Sequence, residues 1–229
     1  MNRAETLEQL ARLCRIGTTA TPATEPSGVD ALDALLPNGG WPVGTIIELM
    51  PTAVGIGEFK LLMPTLARLT GAGRHIAFIS SPYIPFAPAL IQQGIQLERL
   101  LVIDARAPED ALWAFEQTLR CRSFGAVIAW PTAVKDREVR RLQLAAEAGR
   151  SIGFLYRPPS AALESSPAAV RLKLQATAAN LQIDILKCRG AHGGVSVAVA
   201  TSNKRTLLAS IAIQEQQPPP SDYPLTANR

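Results

Sequence analysis

The sequence predicts an α/β fold: a mostly parallel sheet covered by helices on both faces, with an antiparallel extension on its C-terminal side. Three observations carry this. Almost wholly apolar runs recur along the chain, such as 75–80 (His-Ile-Ala-Phe-Ile-Ser) and 125–130 (Gly-Ala-Val-Ile-Ala-Trp); strands buried on both faces read this way. Helix-like stretches separate them, the alternation expected of crossover units. After Arg157-Pro158-Pro159 the pattern changes, and 170–176 and 181–187 alternate apolar with polar residues, as strands with one wet face do.

Taken in order, residues 5–15 form an amphipathic helix with Leu7, Leu10, Leu13 and Ile16 at helical spacing, and 17–26 form a Thr/Pro/Ala linker. The core domain is expected over 27–213, after an N-terminal unit of 1–26 and before a Pro-rich, disordered tail of 214–229. A short helix over 29–36 ends in Pro-Asn-Gly-Gly, and a strand follows at 45–49. Helices are then expected at 57–70, 86–94, 109–121 and 136–149, alternating with strands at 75–80, 100–104, 125–130 and 151–156. Pro108-Glu109-Asp110 suits an acidic first turn, and Gly149 closes the last helix. Short turns join 170–176, 181–187 and a further strand at 194–200 into a meander.

Composition removes several classes of function. With 47% hydrophobic and 18% charged residues, the 229-residue chain has a core to build and is not disordered. No apolar run is long enough to span a bilayer, and the charged N-terminus reads as no export signal, so a cytoplasmic protein is expected, with no membrane partner. Cys14, Cys121 and Cys188 are widely spaced, which predicts neither a disulfide framework nor a zinc site. Cys121 reads as a core thiol at the end of an apolar helix face. His75 and His192 are too few for a metal cluster. The net charge of +4 is uneven: residues 165–213 hold Arg171, Lys173, Lys187, Arg189, Lys204 and Arg205 against the single acid Asp184.

In an open parallel sheet, ligands sit at the carboxyl ends of the strands, and the first strand-to-helix turn is the usual phosphate cradle. That turn runs from Glu48 to Lys60 and has the outline of a nucleotide loop without its chemistry. Such a loop needs a glycine for close approach, a lysine for the phosphates and a hydroxyl for magnesium. Here Met50 replaces the first glycine, and Ile56 and Gly57 follow Gly55 where Lys and Ser/Thr belong. Lys60 lies a turn into the expected helix, and Glu58 adds negative charge. The strand 125–130 ends in Ala129-Trp130-Pro131 with no metal-binding Asp, and Asp104 at another strand end reads as a turn or capping residue. No catalytic set, cofactor or metal is expected.

With this degenerate loop in place, the chain resembles a RecA-fold protein that has lost its ATP site, and in particular the ImuA family, which is grouped with the SulA cell-division inhibitors. Four stretches carry the resemblance: Ser27 to Leu49 with its G-x-I-x-E strand, the loop Pro51 to Lys60 with its Gly-Ile-Gly-Glu centre, Gly125 to Trp130 through Arg157-Pro158, and Leu186-Lys-Cys-Arg-Gly190. The resemblance implies a non-catalytic, SOS-induced accessory factor of mutagenic translesion DNA synthesis in DNA repair. Its implied partners are an ImuB-like polymerase-related protein, an error-prone DNA polymerase, RecA and DNA, with nucleoid association. The SulA alternative implies a division inhibitor that binds FtsZ.

Candidate contacts for DNA or partners are Arg137 and Arg141 on the helix 136–149, beside Lys135 and Arg140, and Arg171, Lys173, Lys187 and Arg189 on the extension. The loop Arg157 to Pro167 has no aromatic residue, so DNA contact would be electrostatic rather than by base stacking.

Overall fold

The computed structural model describes residues 3–13, 23–105, 107–191 and 193–200. Its main sheet has eight strands in the order β10-β9-β8-β3-β7-β6-β4-β5. These are β3 (Thr45–Pro51), β4 (His75–Ile79), β5 (Leu100–Ile103), β6 (Phe124–Ala129), β7 (Ile152–Tyr156), β8 (Val170–Ala176), β9 (Asn180–Cys188) and β10 (Val195–Ala200). Strands β3 to β8 pair in parallel, and β8, β9 and β10 continue as an antiparallel meander. The fold class and the extension are as the patterning predicts. A two-stranded ribbon, β1 (Thr24–Glu25) with β2 (Trp41–Pro42), lies apart from the sheet. Thr24 and Glu25, read from sequence as linker, are therefore paired.

Helices cover both faces. On one, α2 (Asp30–Asp33), α3 (Met63–Gly71) and α4 (Ala87–Gln92) bury Leu32, Leu66, Leu69 and Leu90 against Ile47, Leu49, Phe78, Ile128 and Phe154. On the other, α1 (Arg3–Leu13), α5 (Pro108–Arg120) and α6 (Asp136–Gly149) bury Leu10, Phe115, Leu119, Val139 and Leu142 against Ile46, Ala77, Val127 and Leu155. Each large apolar side chain so buried contributes about 1.5–3 kcal/mol. Arg3 fastens α1 to α5 through Asp110 at 2.6 Å and lies over the Trp113 ring.

The end of α6 departs from the sequence reading. Its left-handed cap is Arg150, at φ 50°, not Gly149. Gly149 serves close approach instead: a Cβ there would lie 1.8 Å from the Leu119 carbonyl oxygen at the end of α5. Cys121 is buried but disulfide-bonded, where the sequence predicts an unpaired thiol. Pairing depends on Cβ distance, which spacing along the chain does not reveal. Cys188 is free and buried, and burial raises its thiol pKa. Cys14, His192, Lys204, Arg205 and the tail 214–229 lie outside the described residues. Among the described residues no helix is long and apolar enough to cross a membrane, and no three His, Cys, Asp or Glu side chains gather as a metal site.

Candidate functional site

The first strand-to-helix turn is longer than the sequence implies. The helix expected from residue 57 starts at Met63, with Pro64 in its first turn, and 52–62 are bends and turns. Gly55 and Gly57 sit at φ 80° and 95°, a conformation that breaks helical continuity and that glycine alone adopts without strain. Lys60 accordingly lies in a turn before α3, exposed.

The loop turns its donor inward. The backbone N–H of Gly55 donates to Glu58 Oε1 at 3.0 Å, so the chain's own carboxylate takes the backbone donor that a phosphate would use. Beneath it the space is filled by aromatic rings. Phe59 meets Phe78 edge-on with centroids 5.3 Å apart, and Trp130 stacks on Tyr156 at 4.8 Å and 14°. Tyr156 is buried, and its hydroxyl has no hydrogen-bond partner; burial first, and the nearby Glu58 charge second, push its pKa well above the ordinary phenol value. A triphosphate does not fit these residues: the nest holds a carboxylate, no lysine follows Gly55, and the floor is aromatic. Met50, read as part of the loop, lies fully buried in β3. Ile56 packs partly against the core.

Around this closed loop the carboxyl end of the sheet carries an apolar rim. The segment after β4 bears Tyr83, Ile84 at 93% exposure and Phe86 at 61%. Pro82 and Pro85 stiffen it, Ser80 at its root holds a left-handed φ of 50°, and Ser81 Oγ donates to the Tyr83 carbonyl at 2.7 Å. Val54 in the turn after β3 is 65% exposed, and Leu163, in the 3-10 helix Pro159–Leu163 after β7, is 95% exposed. In strand order β7, β6, β4, the ends of β7 and β4 are two strand spacings apart, about 10 Å. These side chains therefore share one end of the molecule. Asp104 is also exposed there, after β5.

Sequence reasoning missed the polar centre that holds this end together. Glu48, on the same face of β3 as Ile46 and Met50, is 0% exposed. It accepts from Arg157 Nη1 at 3.2 Å, Ser166 Oγ at 2.7 Å and Arg171 Nε at 2.6 Å. Arg171 also donates to the carbonyls of Glu164 at 2.7 Å and Ala161 at 2.6 Å, and Arg157 to Glu164 Oε2 at 2.8 Å. The segment 157–168 is thus strapped across the sheet, with Leu163 at its crest. The signal was present: a lone acid inside the apolar run Ile46-Ile-Glu-Leu-Met50 must find cations once buried.

The proposed contact residues separate accordingly. Arg171 is corrected: its guanidinium is buried and fully engaged, so it offers nothing to DNA. Lys187 is half-buried and donates to the Ser166 carbonyl at 2.7 Å; burial, then Arg189 and Arg171, lower its pKa. Lys173 is half-buried on the sheet extension and Arg189 is exposed in the turn after β9. Arg137 and Arg141 are exposed on α6, together with Arg140 and Leu144, and Arg141 pairs with Glu116 at 2.6 Å.

Known proteins match this architecture. Among solved structures, the RadB recombinase superposes with a TM-score of 0.63 at 14% identity, covering 77% of this chain and 95% of that one, a likeness of fold alone. The family profile "Cell division inhibitor SulA" matches residues 44–153, from the start of β3 into β7. A cell division inhibitor SulA from Pectobacterium atrosepticum is 30% identical over 135 residues, which are 58% of this chain and 80% of that protein. The protein of the same name from Edwardsiella piscicida is 31% identical over 108 residues, 47% of this chain and 64% of its own length. The matches support the SulA side of the resemblance over the ImuA side. A sheet whose nucleotide loop is closed on its own Glu58, and which shares most of the Pectobacterium protein's length at this identity, belongs to the SulA family.

Proposed function

We propose that the protein is a non-catalytic inhibitor of cell division that docks on the tubulin-like division protein FtsZ through the apolar rim. The observation that supports this most is the loop Tyr83 to Phe86, whose Ile84 is 93% exposed at the end of the sheet where RecA-like proteins place their ligands. Clustered apolar exposure of this kind marks a binding surface. Covering Ile84 and Phe86 would contribute about 1.5–3 kcal/mol each. The prolines and the Ser81 bond hold the loop in place beforehand, which lowers the entropy lost on docking. Because the loop at Gly55 is closed on Glu58, the surface works as a fixed platform with no nucleotide cycle. The reading implies expression under the SOS response and action in the cytoplasm.

One feature favours a second reading, an ImuA-type adaptor for an ImuB-like polymerase-related protein, an error-prone DNA polymerase and RecA. Strands β8 to β10, with Lys173, Lys187 and Arg189, lie beyond the matched residues 44–153. The two readings separate in one binding experiment. The full chain is immobilised and offered purified FtsZ, RecA, an ImuB-type protein and single-stranded DNA. Retention of FtsZ by the wild type and its loss in Ile84→Ser/Phe86→Ser supports the first reading. Retention of RecA or the ImuB-type protein without FtsZ overturns it in favour of the second.

A further inference from the structure

The chain has three cysteines, at positions 14, 121 and 188. Cys188 is a free thiol in the apolar cluster on one face of the sheet, whereas Cys121 is disulfide-bonded and belongs to the cluster on the other face. Within one chain this leaves Cys14, the residue directly after the described end of α1, as the sulfur to which Cys121 is joined. The two helices bring the pair to one height. α1 packs along α5, with Arg3 Nε 2.6 Å from Asp110 Oδ1 near the start of both, and Leu10 and Leu13 share a cluster with Leu119 and Cys121 near the end of α5. Cys14 follows Arg3 by eleven positions, and Cys121 follows Asp110 by eleven. At about 1.5 Å per residue the two intervals have the same length along the helix axes. Each cysteine is also the first residue past its helix, since α1 ends at Leu13 and α5 at Arg120.

We propose that Cys14 and Cys121 form a redox clasp that decides whether α1 stays docked on α5. Without the bond, α1 is an eleven-residue helix held by Leu10, Leu13 and an exposed ion pair. A helix of that length is marginal alone, and an exposed pair adds little. A covalent link at the far end from Arg3 removes the freedom of α1 to swing away. Release uncovers the side of α5 that α1 covers, including Trp113, over whose ring Arg3 lies.

The oxidant is a low-molecular-weight disulfide such as glutathione disulfide. Cys121 is only 5% exposed, so exchange enters at Cys14. The Cys14 thiolate attacks one sulfur of the oxidant and releases one glutathione thiolate. The Cys121 thiolate then attacks Cys14 in the mixed disulfide and releases the other. Both protein thiols are thereby oxidised to one disulfide, and the oxidant is reduced to two glutathione thiols that take up the protons. An excess of glutathione runs the same steps backwards, so the clasp follows the thiol balance of its compartment.

Tryptic mapping of the full chain, oxidised with glutathione disulfide and kept free of reductant, tests the pairing. Peptides 13–15 and 121–122 are recovered joined. Hydrogen exchange on the same sample tests the clasp: the α1 amides exchange at least about tenfold more slowly than in dithiothreitol or in Cys14→Ser, while β3 to β7 are equally protected in all three. Cys188→Ser keeps the difference. Three free thiols after oxidation, a glutathione adduct that persists on Cys14, a bond from Cys121 to Cys188 or a bond between two chains overturns the pairing. Joined peptides with α1 exchange unchanged by reduction refute the clasp. None of these outcomes bears on FtsZ binding by the rim.

Discussion

Glu48 on β3 and Arg171 on β8 are direct partners in the parallel register, with Arg171 Nε 2.6 Å from Glu48 Oε2 and both residues buried. The pair joins the central strand to the first strand of the extension, and through the Arg171 bonds to the Ala161 and Glu164 carbonyls it fixes the segment that carries Leu163. Charges are desolvated here at a cost that only complete pairing offsets. Its role is structural and positional.

Arg171→Met should therefore act on stability and not on DNA. Removing one partner of a buried ion pair costs roughly 3–5 kcal/mol, so urea denaturation should show a lowered midpoint. Arg189→Ala, which alters an exposed side chain, should stay within about 0.5 kcal/mol of the wild type.

Tyr156 gives a pH signature. Its phenol is raised in the folded state, so the unfolded chain loses that proton first. Its contribution to stability is complete below the unfolded value of about 10 and is lost as pH rises from there toward the folded value. Tyr156→Phe should flatten the alkaline decline measured by denaturation between pH 9 and 11 (about one unit either side of the ordinary phenol pKa). The hydroxyl has no partner, so the same variant should be no less stable than the wild type at neutral pH.

Magnesium ATP should leave the melting temperature unchanged, because the Gly55 N–H is committed to Glu58 and the floor is aromatic. A ligand at a hundred times its Kd would add about 2.7 kcal/mol. A clear rise in melting temperature with millimolar ATP would show that the loop opens.

Gly149→Ala should destabilise by about 1–3 kcal/mol or more. The added methyl meets a backbone carbonyl, at 1.8 Å before relaxation, which cannot swing aside as a side chain can. Chemical denaturation reads this directly.

Much of the fold was legible because period and burial act locally. The helix 136–149 and the strand 170–176 come out with the bounds the pattern assigns, since Val139, Leu142 and Ala146 mark one helix face and Val170, Leu172 and Leu174 one strand face. The start of α3 was not, because the composition of 57–62 suits a helix while Gly55 and Gly57 adopt left-handed geometry for the loop's internal bond. The Glu48 centre joins residues more than a hundred positions apart, so no local window contains it. The degenerate loop was readable because it is a short motif. Its closure by Glu58 was half readable, as a misplaced acid whose partner, the Gly55 N–H, is set by the fold of the loop.

GTP-driven polymerisation of purified FtsZ, followed by light scattering with increasing amounts of this protein, tests the proposal that the rim around Ile84 and Phe86 acts on the division machinery. Suppression should rise in proportion to added wild-type protein, and the folded Ile84→Ser/Phe86→Ser variant should be at least about a hundredfold less potent. Suppression of equal strength by that variant, or none by the wild type, would contradict it.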